Sequence, residues 1–327
     1  MLIKMKRAIK MTAGLLFFSA MIVTNINGQE LNDVIKVYND GAKASQTDPQ
    51  AAIAAFENVI SLSGKVGESA NDLKQKATQV LPGLYVKVAV NALNEKKPAT
   101  DVVKAAKTAM QAADKYGSTT AKENGRKILA QGYYNMGTEL FTKKDYPNAL
   151  LAFDSVLSVN PGYPAAIFNK ALVYRSQNNS TAFEENIDQF IEKMKTANDT
   201  VKVKQASKLA LEYFRAGGSQ ASQANKLDEA LTLLNKAAKY GDDKDLFYFF
   251  ADVFNKQKNF EKGEEYAQKG LGLETGAPEA KAKFYFQLGL AQAGKGKTAE
   301  ACASFKNSMF GPFAEPSKAE RKNLKCQ

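Results

Sequence analysis

Residues 130–163 read AQGYYNMGTELFTKKDYPNALLAFDSVLSVNPGY, and this stretch decides the fold. Small residues stand at Gly137 and Ala149, where two packed helices would have to cross closely. Tyr133 and Phe153 are large and would fill the space on either side of that crossing. The stretch therefore predicts a pair of helices with a close contact between them.

The same stretch resembles a tetratricopeptide repeat (TPR). The pattern of that family has an aromatic residue, a large apolar residue, a small residue and a large apolar residue in the first helix. Ala, Phe, a small residue and Pro follow in the second helix. The matching residues, in order, are Tyr133, Met136, Gly137, Leu140, Ala149, Phe153, Val156 and Pro161. Val156 departs from the pattern because it is larger than the small residue expected there.

The frame recurs along the chain, which makes the resemblance stronger than any single copy would. Further copies start at Pro164, Leu211, Lys244 and Ala282, and the copy at Pro164 is degenerate. Half-copies upstream bring the expected number to about seven helix pairs between residues 31 and 315. The resemblance implies an all-α, right-handed superhelical solenoid.

Polar stretches at 65–72, 116–125 and 198–204 are expected to be links between helices. Pro82 is expected to open the first helix of the second pair, because its fixed φ suits a helix start. Residues 317–325 (SKAERKNLK) are charged enough to form the polar capping helix that an end repeat needs.

The N-terminus has the layout of a secretory signal peptide. Residues 1–10 carry four positive charges and no acid, and residues 11–23 carry no charge. This apolar segment is shorter than the ~20 residues of an ordinary membrane span. Cleavage after Gly28 would leave Gln29 first, although Ile26 is larger than such sites prefer, so retention as an anchor stays open. The predicted domains are the signal peptide (1–28), the TPR-like repeat domain (29–315) and the capping helix with its tail (316–327).

Composition excludes several kinds of chemistry. The chain contains no His, so no imidazole can serve as a base or a metal ligand. Its two cysteines are too few for a four-thiolate zinc or iron–sulfur site. No catalytic, cofactor-binding or metal-binding residues are predicted.

The positive charge is mild once the signal segment is set aside, since the net charge falls from +11 to +7 when its four cations are removed. Only four arginines remain, whereas nucleic-acid surfaces rely on arginine for phosphates and guanines. The lysines are scattered as expected for solvated helices. No nucleic-acid partner and no stable membrane insertion after signal removal are predicted.

Other motifs have plain structural interpretations. Asp242-Asp243, Glu184-Glu185 and Glu264-Glu265 are expected to be helix caps or solvated faces, because adjacent residues on a helix point about 100° apart. The glycines at 216–219 and 293–297 lack the strand and spacing of a phosphate-binding loop, so they are interpreted as a helix crossing and a turn.

Cys302 and Cys326 are candidates for a disulfide, which is common in oxidising compartments. If the capping helix folds back antiparallel, the two residues stand at heights of roughly 10 and 15 Å above the turn. That mismatch lies near the limit of disulfide geometry. A disulfide and two separate thiols both remain open.

The TPR resemblance also implies a ligand-binding groove lined by the first helix of each pair. Carried over position by position, the groove would contain Tyr134, Phe141, Phe168, Arg175, Arg215, Tyr248 and Phe286. Aromatic and arginine side chains are the usual anchors of protein interfaces. A shift of the repeat frame would instead place these aromatic residues in packing between helices.

These features predict an exported, non-enzymatic scaffold that binds a peptide or protein partner, in the style of envelope TPR proteins of Gram-negative bacteria. It would be periplasmic or associated with the cell envelope. A glycan- or nutrient-capture protein is the alternative, although the chain lacks Trp for stacking on sugars. A carboxylate-based helical hydrolase is a third interpretation, and no acid stands in an apolar stretch that would raise its pKa.

Overall fold

Residues 28–327 are described by the computed structural model, and they form fifteen α-helices, two short 3₁₀ segments and no strand. The helices are α1 (Gly28–Thr47), α2 (Pro49–Val66), α3 (Asn71–Asn94), α4 (Ala99–Lys115), α5 (Thr119–Thr142), α6 (Tyr146–Val159), α7 (Pro164–Ser176), α8 (Ser180–Thr196), α9 (Thr200–Gln223), α10 (Leu227–Ala238), α11 (Lys244–Lys256), α12 (Phe260–Leu273), α13 (Pro278–Gly294), α14 (Thr298–Asn307) and α15 (Ala314–Asn323). Six pairs of consecutive helices pack together, namely α1–α2, α3–α4, α7–α8, α9–α10, α11–α12 and α13–α14, which confirms the predicted all-α fold of paired helices. The predicted signal peptide lies outside the described residues.

The chain divides into two compact units. Unit 1 contains the residues up to Lys143 together with Asp154–Pro161, and unit 2 contains Lys144–Phe153 and Gly162–Gln327. The core of unit 1 is built largely from Ala, Val and Leu side chains of α1 to α5. Unit 2 uses larger aromatic side chains, among them Phe183, which is fully buried. Among the described helices, none has both the length and the apolar composition needed to cross a bilayer.

Short turns of one design reverse the chain between helices. Between α7 and α8, Asn178 takes a left-handed conformation with a φ of 56°, and the Asn179 side chain then caps α8. Asn198-Asp199 before α9 and Lys258-Asn259 before α12 repeat this arrangement. A polar cap satisfies an amide at the helix start that has no partner within the helix. The sequence therefore specifies both where the helices stop and where the next ones begin.

Small residues stand where paired helices cross, as the repeat frame predicts. A Cβ atom added at Gly218 would lie 2.6 Å from a methyl carbon of Leu234, and one added at Gly289 would lie 2.7 Å from the Phe305 ring. Ala149 is completely buried. Since real Cβ contacts are longer than these, only a small residue lets the two backbones approach this closely.

Two of the three polar stretches expected to be links are mostly helical. The links before α5 and α9 end at Ser118 and Asp199, which cap those helices, so most of 116–125 and 198–204 lies inside them. As a result α5 and α9 are 24 residues long each. The prediction of links was wrong here because polarity alone does not end a helix: no proline interrupts these stretches.

Pro82 does not open a helix either, since it lies inside α3. A proline in a helix interior costs about 3 kcal/mol because it removes a hydrogen bond and crowds the preceding turn. Ala77, Leu81 and Leu84 are buried along one side of α3 and continue across the proline. Their packing holds the helix together where the local sequence favours a break.

The last helix, α15, contacts α14, and a disulfide joins Cys302 to Cys326 with a Cα–Cα distance of 5.6 Å. The predicted difference in height between Cys302 and Cys326 was based on a helix that continues almost to Cys326. Instead α15 ends at Asn323, and Lys325 has a φ of 55° that turns the chain back. The amide of Cys326 then donates to the carbonyl of Arg321 at 2.9 Å. This terminal turn removes the mismatch.

Candidate interaction surface

Three first helices of unit 2, α9, α11 and α13, lie side by side and contact one another in that order. We call the surface that they form the first-helix face of unit 2. It contains Arg215 on α9, Tyr248 on α11 and Phe286 on α13. Phe168 and Arg175 lie on α7, also in unit 2, whereas Tyr134 and Phe141 lie on α5 in unit 1. The seven predicted groove residues are thus divided between the units, five in one and two in the other.

An alternating row of charges crosses the first-helix face of unit 2. Arg215 forms an ion pair with Asp243 and lies 3.8 Å from Asp245, both of which are at the start of α11. Lys283 of α13 pairs with Asp245 from the other side. Burial favours a raised pKa for Asp245, but the cations outweigh it and the pKa is lowered, so this carboxylate stays ionised. The side chain of Arg215 is still 20% exposed, so a partner can reach it.

Tyr248 lies next to this row of charges. The ammonium of Lys283 stands 5.4 Å from the centre of the Tyr248 ring, which is within the range of a cation–π contact. The ring also packs edge-on against Phe249 at 5.2 Å and Phe284 at 6.2 Å. Burial raises the pKa of the Tyr248 hydroxyl. The structure therefore brings Arg215 and Tyr248 into one cluster, connected through Asp245 and Lys283.

A second polar cluster crosses the same face about two helical turns further along α11. Asp252 accepts hydrogen bonds from Ser222 of α9 at 2.6 Å and from Gln287 of α13 at 3.3 Å. Lys256 donates to Asp252 at 2.8 Å and to the Ser222 hydroxyl at 2.9 Å. The sequence analysis missed this cluster. The only part of this cluster that the sequence could have indicated is the pair of Asp252 and Lys256, which are four residues apart on one helix. Ser222 and Gln287 lie 30 and 35 residues from Asp252 in the sequence, so no local pattern connects them.

Two other aromatic residues predicted for the groove, Phe168 and Phe286, pack against neighbouring elements of unit 2. The Phe168 ring lies 4.8 Å from Phe190 of α8. The Phe286 ring lies 5.8 Å from Phe305 of α14 and 5.5 Å from Phe313, in the segment before α15. These rings are half-buried, so they combine a packing role with a remaining exposed edge.

A shallow cleft adjoins the first-helix face at the start of α9. Its volume is about 410 Å³. One wall is the N-terminal half of α9, with Lys204, Lys208 and Leu211, and the other is the turn that carries Asp242 and Asp243. The cleft opens here because α9 has 24 residues and α11 has only 13, so α11 does not cover the first turns of α9. Asp243 belongs to both the cleft and the row of charges, which makes the two surfaces continuous.

Two of the acidic pairs differ from the solvated faces expected of them. Glu184 and Glu264 are mostly buried and form ion pairs, with Lys236 and Lys239 and with Lys295 and Lys297 respectively. Burial favours a raised pKa for Glu184, but hydrogen bonds from the two lysines lower it. The hydrogen bond from Lys295 lowers the pKa of Glu264. A general acid for glycoside hydrolysis needs the opposite shift, a raised pKa.

The acidic motif at Asp243 and the glycine motif at Gly296 have structural roles. Asp243 caps α11 by accepting from the amide of Leu246 at 2.7 Å. Gly296 has a φ of 75° in the turn between α13 and α14, where Lys295 and Lys297 contact Glu264. Within residues 28–327, no group of three or more Cys, Asp or Glu side chains is arranged to hold a metal ion.

Several solved structures are similar to this chain in fold. MamA is 20% identical over 61% of this chain and 96% of its own, with a TM-score of 0.35. A thermophilic TPR protein of Thermus thermophilus is 20% identical over 60% of this chain and 98% of its own, with a TM-score of 0.27. A TPR protein of Parabacteroides merdae is 15% identical over 91% of this chain and 100% of its own, with a TM-score of 0.30. No protein-family model and no curated protein matches the chain.

Proposed function

We propose that this protein is a non-enzymatic scaffold that binds a peptide or protein segment on the first-helix face of unit 2. The observation that carries the proposal is the cluster of Arg215, Asp245, Lys283 and Tyr248, which spans three neighbouring helices. Arginine and tyrosine are the residues that most often anchor protein interfaces. With Lys283 on α13, the cluster extends across α9, α11 and α13 and gives a partner one continuous surface.

The chemistry of the cluster favours a partner with an acidic group beside an apolar side chain. Arg215 and Lys283 share the carboxylate of Asp245, and Arg215 also pairs with Asp243. A carboxylate from a partner would add one further acceptor to each cation. Phe249 and Tyr248 would receive the apolar side chain. The ion pairs already fix the Arg215 and Lys283 side chains, so binding would cost less side-chain entropy.

We also infer that the protein acts outside the cytoplasm, in the periplasm or associated with the cell envelope. This part of the proposal is supported by the basic start and the uncharged residues 11–23 of the sequence. A disulfide between Cys302 and Cys326 is compatible with an oxidising compartment.

The binding test begins with a partner recovered from envelope extract by crosslinking and then purified. Isothermal titration calorimetry of Arg215→Ala and Tyr248→Ala should show a loss of about 1–2 kcal/mol each, the usual effect of an interface anchor. Arg126→Ala is the matched control: Arg126 lies on α5 in unit 1, forms an exposed ion pair with Glu123 and should leave affinity unchanged.

Circular dichroism must show that both variants remain folded, because Arg215→Ala also removes two ion pairs. Unchanged affinity in folded Arg215→Ala and Tyr248→Ala proteins would contradict binding on this face. Retention on polysaccharide without any protein partner would favour glycan capture and contradict the scaffold.

A further inference from the structure

The terminal helix α15 gains almost nothing from hydrophobic burial. Its sequence is AEPSKAERKN, and Ser317 is its only buried residue. A helix of ten residues is not stable by itself in water, and one that is polar on all sides needs support from elsewhere. Some other interaction must therefore hold α15 on the rest of unit 2.

Three contacts with the preceding helix supply that support. The disulfide joins Cys302, within α14, to Cys326, beyond the end of α15. The hydroxyls of Ser308 and Ser317, both buried, are 2.6 Å apart. Arg321 donates to the carbonyl oxygen of Cys302 at 2.5 Å. Only the disulfide is covalent, and the other two contacts are single hydrogen bonds.

The segment between α14 and α15 covers an aromatic surface. Its Phe313 ring lies 5.5 Å from Phe286, which in turn packs on the fully buried Phe305. Phe286 belongs to the first-helix face of unit 2. Removal of Phe313 would expose one side of the Phe286 ring to solvent or to a partner.

We propose that residues 309–327 form a redox latch: the disulfide holds this segment over Phe286, and reduction of the disulfide releases it. Cys302 and Cys326 are both half-exposed, so a small thiol can reach the bond. A thiolate of a dithiol reductant attacks one sulfur and forms a mixed disulfide, which its second thiol resolves. The reductant becomes a cyclic disulfide, and the protein gains two electrons and two protons as two free thiols.

The latch acts locally because the bond closes a loop that contains little beyond the second half of α14 and the terminal segment. While the bond is intact, residues 309–327 stay near α14 even when their hydrogen bonds open. Without it, the two hydrogen bonds and the Phe313 contact must offset the conformational entropy of the whole segment. The latch does not depend on the proposed partner binding, since its effect is measured on the protein alone.

Hydrogen–deuterium exchange tests the latch on the full-length protein. Oxidised protein is compared with dithiothreitol-reduced protein and with the Cys302→Ser/Cys326→Ser variant, which cannot form the bond. We expect exchange in residues 314–323 to accelerate by about tenfold or more in both samples without the bond, as in local unfolding. Exchange in α11, α12 and α13 should stay within about twofold of the oxidised protein.

A second variant separates release of the segment from exposure of the aromatic surface. Phe313→Ala in the oxidised protein uncovers Phe286 while the disulfide remains. It should increase the fluorescence of the apolar dye 1-anilinonaphthalene-8-sulfonate, as reduction should, but leave exchange in α15 closer to that of the oxidised protein.

Three results would overturn the latch. Equal exchange of residues 314–323 with and without the bond would show that the hydrogen bonds suffice. Faster exchange throughout α11 to α14 would show that the bond stabilises unit 2 as a whole. Two titratable thiols per chain, in unfolded protein never exposed to reductant, would show that the bond does not form.

Discussion

Two Lys-Tyr-Gly sequences, at the ends of α4 and α10, make the same kind of contact with a preceding pair. Tyr116 lies 3.4 Å from a carboxylate oxygen of Glu57, and Lys115 stands over the Tyr116 ring at 4.9 Å. In unit 2, Tyr240 donates to Asp188 at 2.9 Å, and the residue before it, Lys239, pairs with Asp188 and stands over the Tyr240 ring. Each contact joins second helices of neighbouring pairs through one acid.

The Glu57 carboxylate also accepts a hydrogen bond from Tyr85 at 2.9 Å, which makes stability sensitive to alkaline pH. Burial and this hydrogen bond raise the pKa of Tyr85 from 10.0 to about 12. A pKa raised in the folded state means that the folded protein holds the proton more tightly than the unfolded chain. The stabilisation is complete below about pH 10 and is lost as the pH rises through about 12.

We therefore expect the difference in unfolding free energy between wild type and Tyr85→Phe to shrink as the pH is raised from about 9 to about 12. Urea unfolding at several pH values measures this difference. Tyr285→Phe is the control, because no hydrogen bond to its hydroxyl is present among the described residues. A Tyr85→Phe difference that stays constant over this range would contradict the assignment.

At the scale of single residues, the sequence identified the packing positions better than the polar partners. Gly218, Gly289 and Ala149 follow from the repeat frame because a close helix crossing leaves room only for small residues. The pairing of Arg215 with Asp243 spans 28 residues, so no local spacing reveals it. The repeat frame likewise predicted the position of Phe168 on its helix, but not its packing against Phe190, which depends on how two helices meet.

At the scale of the helices, close crossings make a direct prediction about two glycines. Gly289→Ala would place a Cβ atom 2.7 Å from the Phe305 ring, so we expect a loss of about 1–3 kcal/mol from overpacking. Gly272, on α12, has no neighbouring atom within 4 Å of an added Cβ, and Gly272→Ala should be neutral or stabilise by up to about 1 kcal/mol.

Urea unfolding of the two variants, side by side, provides the measurement. Both variants replace a helical glycine by alanine, so the difference between their unfolding free energies measures the effect of crowding at the helix crossing. Equal stability of the two variants would mean that Phe305 can move aside at no cost, and that the glycine at 289 is not required by packing.

Helix existence was predicted from the sequence, but helix length was not. The N-terminal turns of α5 and α9 were expected to be links because residues 119–125 and 200–204 are polar. The side chains of Ser118 and Asp199 nonetheless cap these turns, and buried residues such as Ala121 and Ala206 support one side of each helix. A polar stretch can thus be one exposed side of a helix as well as a loop, and only packing distinguishes the two.

For the molecule as a whole, the export proposal predicts the mass of the mature chain. Protein purified from its native envelope should begin at or near Gln29, since Gly28 provides the small residue before a signal cleavage site. Intact-mass analysis decides this directly. A soluble cytoplasmic protein that still begins at Met1 would contradict export, and it would leave the binding proposal to be tested separately.

Within each unit, the described helix contacts join helices at most two places apart in the chain. A helix pair therefore does not have to wait for distant sequence before it packs. As the chain is synthesised at about 5–20 residues per second, each pair can pack within seconds of the appearance of the next one. Growth of the polypeptide and growth of the packed core can then proceed together, which limits the time that any apolar helix surface spends exposed.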